Sequence, residues 1–284
     1  MKKNELSVVI NTKNEEKNIS DCVESVKNIA SEIIVCDMQS TDNTIKIAKS
    51  LGAKVISVKD YGYVEPAKMK AIKAAKFDWI LIIDADERMG GVLQNKIKNY
   101  LLSPKYNIVA FSRKNLMLGF WIKNGLRWPD YQVRLFKKGS VRFSKTIHSQ
   151  PILIEEVYKL PPKEEFSILH YHSRNTEQLL MKTWQQAKNE NFYQNQQTIT
   201  PELIRERIAH EIDWRFIEHK GFKDGIPGYI SAKFMEFYRF LEFVDYWEEN
   251  KELNFTKNQA KNLVKKKDEK LVFSNIYKKI KDLF

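Results

Sequence analysis

Short runs of β-branched and aliphatic residues, each followed by a stretch with helical spacing, fill the first third of the chain and leave little freedom of fold. Residues 6–11 (LSVVIN) read as a buried strand, 32–37 (EIIVCD) and 54–58 (KVISV) as the second and third strands, and 79–84 (WILIID) as the most apolar strand. Between the first two, Ile19, Cys22, Val23, Val26 and Ile29 recur at helical spacing over residues 15–29. Ser40, Thr41 and Asp42 offer N-cap side chains to a helix that runs to about Leu51, and Gly52 closes it. Residues 66–76 and 92–102 read as further helices, and 107–112 as a further strand. Strands alternating with helices are βαβ units, which build a parallel sheet covered on both faces. Ligands of such sheets bind beyond the carboxyl ends of the strands. Three strands end in polar residues, Asn11-Thr12, Asp37 and Asp84, so these should gather along one edge.

Beyond residue 113 the pattern changes. Residues 120–128 form an aromatic, Gly-containing loop, residues 131–137 (YQVRLFK) alternate like a half-buried antiparallel strand, and the chain reads helical from 175 onward with breaks at Pro201 and at 221–228. The expected fold is α/β: a mixed, mostly parallel sheet flanked by helices, then a helical C-terminal region. The expected division is 1–172 for the nucleotide-binding and catalytic domain, 173–250 for a helical region, and 251–284 for a Lys-rich tail.

Charge bears on the partner. Forty-eight Lys and Arg against 36 Asp and Glu give a formal net charge of +12, which favours an anionic partner. Part of that excess sits in residues 251–284, which hold ten Lys and four acids. Two cysteines, Cys22 and Cys36, fall on core-facing positions and read as buried free thiols, not a disulfide framework. The N-terminus runs into a strand without a signal-peptide core, and no window approaches the ~18 consecutive apolar residues of a membrane span. The expected location is therefore cytoplasmic.

Asp84-Ala85-Asp86 is the sharpest chemical feature. In an extended segment residues i and i+2 point to one side, so the two carboxylates would form a hard-oxygen site for Mg²⁺ or Mn²⁺ with positions open to phosphate oxygens. The competing reading is a strand-to-helix turn in which the acids cap a helix. Asn11 to Glu15 follow the first strand and open a helix, where backbone N–H groups favour an anion or a polar base edge. Asp37, followed by Ser40, Asp42 and Thr44, is placed for ribose hydroxyls or a uracil ring. That first turn holds no glycine, which disfavours a dinucleotide fold.

These segments (SVVINTKNE at 7–15, IIVCDMQSTD at 33–42 and DADE at 84–87) resemble family-2 glycosyltransferases of GT-A fold. Asp130 to Phe136 (DYQVRLF), Ile147-His148, Leu169-His170-Tyr171 and Gly221 to Gly225 (GFKDG) resemble a bacterial branch that includes the glucosyltransferases of the lipopolysaccharide inner core. The resemblance covers roughly residues 5–248. It implies that Thr12, Glu15 and Asp37, with Asn11 and Ser40 beside them, bind the base and ribose. Asp84 and Asp86 would hold the metal and diphosphate, and Lys68 would reach the sugar or phosphates. Inverting transfer needs a carboxylate to take the acceptor's proton; Asp130 is the first choice and Glu87 the reserve, with a turn role the competing reading for Asp130. Arg134 and His148 would bind the leaving diphosphate, or His148 would complete the metal shell; His170 and His172 rank below it.

Residues 226–247 are dense in Phe, Tyr and Trp with interspersed charge, which fits either core packing or an interfacial helix on an anionic membrane, aided by the basic tail. The function expected is inverting, metal-dependent hexosyl transfer from a nucleotide sugar, UDP-linked, to a bacterial surface glycan at the cytoplasmic face of the inner membrane, with no nucleic-acid partner. The alternatives are a polyprenyl-phosphate hexosyltransferase, a sugar-phosphate nucleotidyltransferase, which would need a Gly-rich phosphate loop, and a basic RNA-binding protein, which would need basic residues interleaved with aromatics on one face.

Overall fold

β1 (Leu6–Thr12) is buried over its whole length because its sheet is covered on both sides. Val8 and Ile10 pack with Ile19, Cys22, Val23 and Val26 of α1 (Ile19–Lys27) on one face, while Val9 joins Ala67, Ala71 and Ala75 on the other. That two-sided burial explains an unbroken apolar run in place of alternation. Both cysteines are buried free thiols, as expected, and burial first of all pushes Cys36 up to about 11.

The computed structural model describes residues 4–60, 65–142, 151–189, 192–196 and 198–264. These form two compact units: Met1–Trp121 with Arg127–Arg174, and Ile122–Leu126 with Asn175–Phe284.

In the first unit β2 (Glu32–Asp37), α2 (Thr44–Ser50), β3 (Lys54–Ser57), α3 (Glu65–Ala74) and β4 (Trp79–Asp84) continue the expected alternation. β5 (Glu87–Met89), α4 (Gly91–Leu102), β6 (Ile108–Met117), β7 (Phe120–Trp121) and β8 (Asp130–Lys137) follow. β9 (Val141–Arg142), β10 (Ile152–Leu153), β11 (Val157–Lys159) and β12 (Ile168–Ser173) complete the unit. The main sheet runs β3-β2-β1-β4-β8-β6-β12-β5, with β7 and β11 also paired to β6. Its first four strands are parallel, and β8 is antiparallel to both β4 and β6. The fold is therefore the expected mixed, mostly parallel sheet.

Two local differences have clear causes. α1 begins at Ile19, not at residue 15, because the N–H groups of Asn14, Glu15 and Glu16 donate instead to Ser40 Oγ, Thr44 Oγ1 and Asp42 Oδ2. β6 runs on through Arg113, Lys114 and Asn115, past the expected end at 112, because Arg113 and Asn115 find partners on β8.

The second unit is helical: α5 (Thr176–Asn189), α6 (Pro201–Ile212), α7 (Gly225–Glu249) and α8 (Lys257–Val264). Pro201 opens α6 instead of breaking a helix: Thr200 caps it by accepting from Leu203 N–H, and proline suits the first turn. Asp224 ties the 122–126 segment into this unit by accepting from the N–H groups of Lys123 and Asn124 at 3.0 and 2.7 Å. Gly228 has no room for a side chain, since a Cβ there would lie 2.0 Å from the Gly221 carbonyl oxygen. Among the described residues no helix is long and apolar enough to cross a membrane.

Candidate functional site

The parallel ladder fixes the first cluster. Asn11 lies beside Asp84 and Thr12 beside Asp37 in the register of β1 with its two neighbours, so the polar strand ends do meet at one edge. Asn11, Thr12 and Asp37 are all buried. Yet the Asn11 amide, Thr12 Oγ1 and Asp37 Oδ1 have no hydrogen-bond partner. An unmet buried polar atom costs about 1–3 kcal/mol, which makes this cluster a candidate ligand site.

Two loops frame this pocket by capping each other. Ser40 N–H donates to Asp37 Oδ2 at 3.0 Å while Ser40 Oγ accepts from Asn14 N–H at 2.8 Å. Thr41 N–H returns a bond to Asn14 Oδ1, and Asn43 N–H donates to Glu16 Oε2. Asn14 (φ 54°) and Gln39 (φ 58°) sit in the left-handed region to make these turns. Glu15 accepts from Asn18 Nδ2 at 2.6 Å, so its carboxylate braces the loop.

The Asp84–Asp86 triplet is a tight turn between β4 and β5, neither an extended continuation nor the entrance to a helix. Arg88, buried, donates to the carbonyls of Ala85, Glu87 and Asn18 at 2.8 Å each, which holds the turn from behind. The two carboxylates have different neighbours. Asp84 Oδ2 is 2.6 Å from Arg134 Nη2, and the same Nη2 is 2.6 Å from Glu87 Oε1. Burial pushes the Asp84 carboxyl up, but Arg134 and then Lys68 on α3 outweigh it and hold it at about 2. Asp86 Oδ2 lies 3.5 Å from His170 Nε2.

β8, β6 and β12 supply a second polar cluster. On β8, Asp130 and Gln132 alternate onto one face, and the register with β6 then slips by one residue where Arg134 falls, between Val133 and Leu135. Such a bulge re-aims a side chain; here Arg134 meets Asp84 and Glu87. From β6, Arg113 grips Asp130 Oδ2 through Nη2 at 2.6 Å and Nε at 2.8 Å, and its Nη1 is 3.5 Å from Glu87 Oε1. Alternating charges thus run Asp84, Arg134, Glu87, Arg113, Asp130. Asn115 Nδ2 and Gln132 Nε2 also donate to Asp130. Burial raises the Asp130 carboxyl, but Arg113 and these amides bring it below the ordinary range. Because Asn115 directs its amide nitrogen at Asp130, its Oδ1 faces His170 Nδ1 at 2.6 Å. The other ring nitrogen, Nε2, faces Asp86.

Asp84 and Asp86 are hard-oxygen donors of the kind a divalent cation takes, and the His170 ring lies beside Asp86. Among the described residues, however, no three His, Cys, Asp or Glu side chains converge on one point. A cation here would therefore take much of its shell from phosphate oxygens and water. His148 lies outside the described residues. Arg113, Asn115, Gln132 and Arg88 were not singled out from the sequence; only the alternation within DYQ at 130–132 hinted at a polar strand face.

Residues 7–148 match the Glycosyl transferase family 2 domain. An uncharacterized glycosyltransferase of Rickettsia bellii is 34% identical over 260 residues, covering 83% of this chain and 84% of its own length. One from Rickettsia typhi is 32% identical with the same coverage. Glucosyl-3-phosphoglycerate synthase from Mycobacterium tuberculosis, solved with Mn²⁺ and UDP-glucose, is similar at 25% identity and a TM-score of 0.34 over 40% of this chain and 43% of its own, which is under half of either chain. With a domain match over the whole sheet edge and relatives along most of its length, this GT-A-type chain belongs to glycosyl transferase family 2 and is a glycosyltransferase.

Proposed function

We propose that the chain transfers a hexose from a UDP-linked sugar to a surface glycan, such as the core of lipopolysaccharide, with inversion at the anomeric carbon. The observation that carries the donor reading is the set of buried, partnerless atoms at Asn11, Thr12 and Asp37. Uracil presents an N–H between two carbonyls. Asp37 Oδ1 accepts that N–H, while the Asn11 amide and the Thr12 hydroxyl donate to the carbonyls or the ribose. Ser40 and Glu15 hold the loops that shape this pocket.

Asp84 and Asp86 lie one ladder step away and would hold a Mg²⁺ or Mn²⁺ ion, with His170, 3.5 Å from Asp86, and His148 the candidate imidazole ligands. When bound, that ion offsets the charge that grows on the leaving diphosphate. Arg134 and Lys68 add fixed positive charge to the same place. Glu87 is fully buried between two arginines, so it serves as a positioning residue, not as the base.

Asp130 is the base. Its Oδ2 is taken by Arg113 and Asn115, but among the described residues Oδ1 accepts only from Gln132 and keeps a lone pair for the acceptor hydroxyl. Proton transfer to that oxygen accompanies attack from the face opposite the diphosphate.

The acceptor is lipid-borne and met at the cytoplasmic face of the inner membrane, with peripheral contact to anionic lipid. A panel of UDP-, GDP- and dTDP-sugars with and without Mn²⁺, read by thermal shift, tests the donor. Metal-dependent stabilisation by UDP-sugars alone supports the reading, and equal stabilisation by all nucleotides contradicts it.

A further inference from the structure

α7 is built inside out. Its buried positions are Gly228, Ser231, Ala232, Tyr238, Glu242 and Asp245, which are mostly small or charged. Arg239 reaches from α7 itself, and Arg207 from α6, to neutralise Glu242. Phe243 and Tyr246 pack on Tyr193, while four of its eight aromatic side chains, with Ile226, face the other way: Ile226 is 75% exposed, Tyr229 45%, Phe237 38%, Phe240 45% and Trp247 43%. With exposed Lys233 these positions step by threes, fours and one seven, a single stripe along a helix about 37 Å long at ~1.5 Å per residue. A soluble helix normally presents the reverse pattern, and a contiguous exposed apolar patch of this kind marks a contact surface.

We infer that this stripe of α7 rests on an anionic bilayer, with its aromatic side chains in the headgroup layer and the helix parallel to the surface. Charge selects this occupant. The basic excess lies in the sequence that follows the helix, ten Lys against four acids over 251–284; in the helical unit itself exposed Lys220, Lys223 and Lys233 are balanced by exposed Glu218, Glu248 and Glu249. Phe, Tyr and Trp interleaved with Lys is the composition of an interfacial helix, because the rings take the headgroup boundary while the ammonium groups meet lipid phosphates. A second copy of the chain would instead bring one Lys-rich 251–284 segment up to another. The inference deepens the proposed reaction, and it rests on that reading only for its purpose of bringing the enzyme to a lipid-borne acceptor.

The test is flotation of the full chain with vesicles of phosphatidylcholine alone or mixed with phosphatidylglycerol. The wild type is expected to float only with the mixed vesicles. The triple variant Phe237→Ser, Phe240→Ser and Trp247→Ser should lose at least about tenfold in partition, since each ring gives up apolar burial. The variant Lys265→Gln, Lys266→Gln and Lys267→Gln should lose roughly a hundredfold, at about 1 kcal/mol per Lys near the surface. Both variants should keep the wild-type melting temperature and the same UDP-sugar stabilisation, which separates this inference from the donor reading. Flotation of the aromatic variant at the wild-type level overturns it, and so does a wild type that ignores lipid charge. A concentration-dependent dimer in sedimentation that the aromatic variant abolishes also overturns it, in favour of a second copy on the stripe.

Discussion

A single nitrogen of Arg134, Nη2, lies 2.6 Å from Asp84 on one side and 2.6 Å from Glu87 on the other, so the arginine bridges the end of β4 to the start of β5. Glu87 has no exposed surface, and its second oxygen accepts from Asp84 N–H at 3.0 Å. Removing Arg134 therefore strands a buried carboxylate. Arg134→Met is expected to destabilise the fold by about 3–5 kcal/mol, and adding Glu87→Gln should recover part of that loss by removing the uncompensated charge. Equilibrium denaturation of the single and double variants measures both effects; a double variant no more stable than the single one contradicts the bridge.

Thr12 separates stability from function. Its hydroxyl is buried without a partner, so Thr12→Val deletes an unmet group at nearly constant volume. The ligand-free protein should gain up to about 1 kcal/mol, while donor affinity should fall roughly tenfold for want of one hydrogen bond. Paired thermal melts and calorimetric titration with UDP check the opposite signs. A loss of stability in the ligand-free state would mean that the hydroxyl has a structural role.

Arg113 sets the basicity of Asp130. Because Arg113 and its neighbours hold that carboxyl below the ordinary carboxylate range, Asp130 remains ionised well into acid. The acid limb of the kcat/KM profile should accordingly lie below the usual carboxylate pKa. In Arg113→Gln the limb should move to higher pH, with the rate at neutral pH changed less than the rate at acid pH. An unmoved limb would take the role of base away from Asp130.

The helical unit carries its own acid sensitivity. Glu211 is buried between Arg215 (2.5 Å) and Arg239 (2.7 Å); burial raises its pKa, but the two arginines outweigh that and leave it lowered. A carboxylate with a lower pKa folded than unfolded contributes stability fully above its unfolded pKa of about 4.3 and loses it as pH falls through the folded value. Glu211→Gln should thus narrow its stability gap to the wild type as pH falls below the ordinary Glu range. Melting temperatures taken from neutral pH down through that range report the convergence, and a constant gap contradicts it.

At Gly228 the constraint is steric. Gly228→Ala places a carbon 2.0 Å from a backbone oxygen, which nothing but a backbone shift relieves. A cost of about 3 kcal/mol or more is expected, seen as a lowered denaturation midpoint.

The parallel half of the sheet was legible in the sequence because β1, β2 and β4 are largely buried on both faces and end in polar residues, while β3 lies half-exposed at the edge. Asn11, Thr12, Asp37 and Asp84 follow directly from that rule. What lay hidden depends on pairing across distance. Arg113 and Asn115 look like the polar end of a strand until β8 is set beside them, and the role of Arg134 depends on a register slip that no local pattern encodes. Asp224 in the GFKDG run serves as an anchor for the 122–126 segment, which only the tertiary fold discloses. In α7 the aromatic density was plain in the sequence, but the outward direction of half of it was not, because small and charged residues take much of the inner face.

The central claim is that the edge between Thr12 and Asp86 binds a nucleotide diphosphate through a divalent cation. Calorimetric titration of UDP-glucose into the wild type and into Asp84→Asn, each with and without Mn²⁺, tests it most directly. The account predicts that Mn²⁺ strengthens binding to the wild type by tenfold or more, roughly the worth of one charge-assisted contact. It predicts that Asp84→Asn loses this metal dependence while still binding uridine, whose contacts are at Asn11, Thr12 and Asp37. Equal metal dependence in both proteins, or binding to neither, would contradict it.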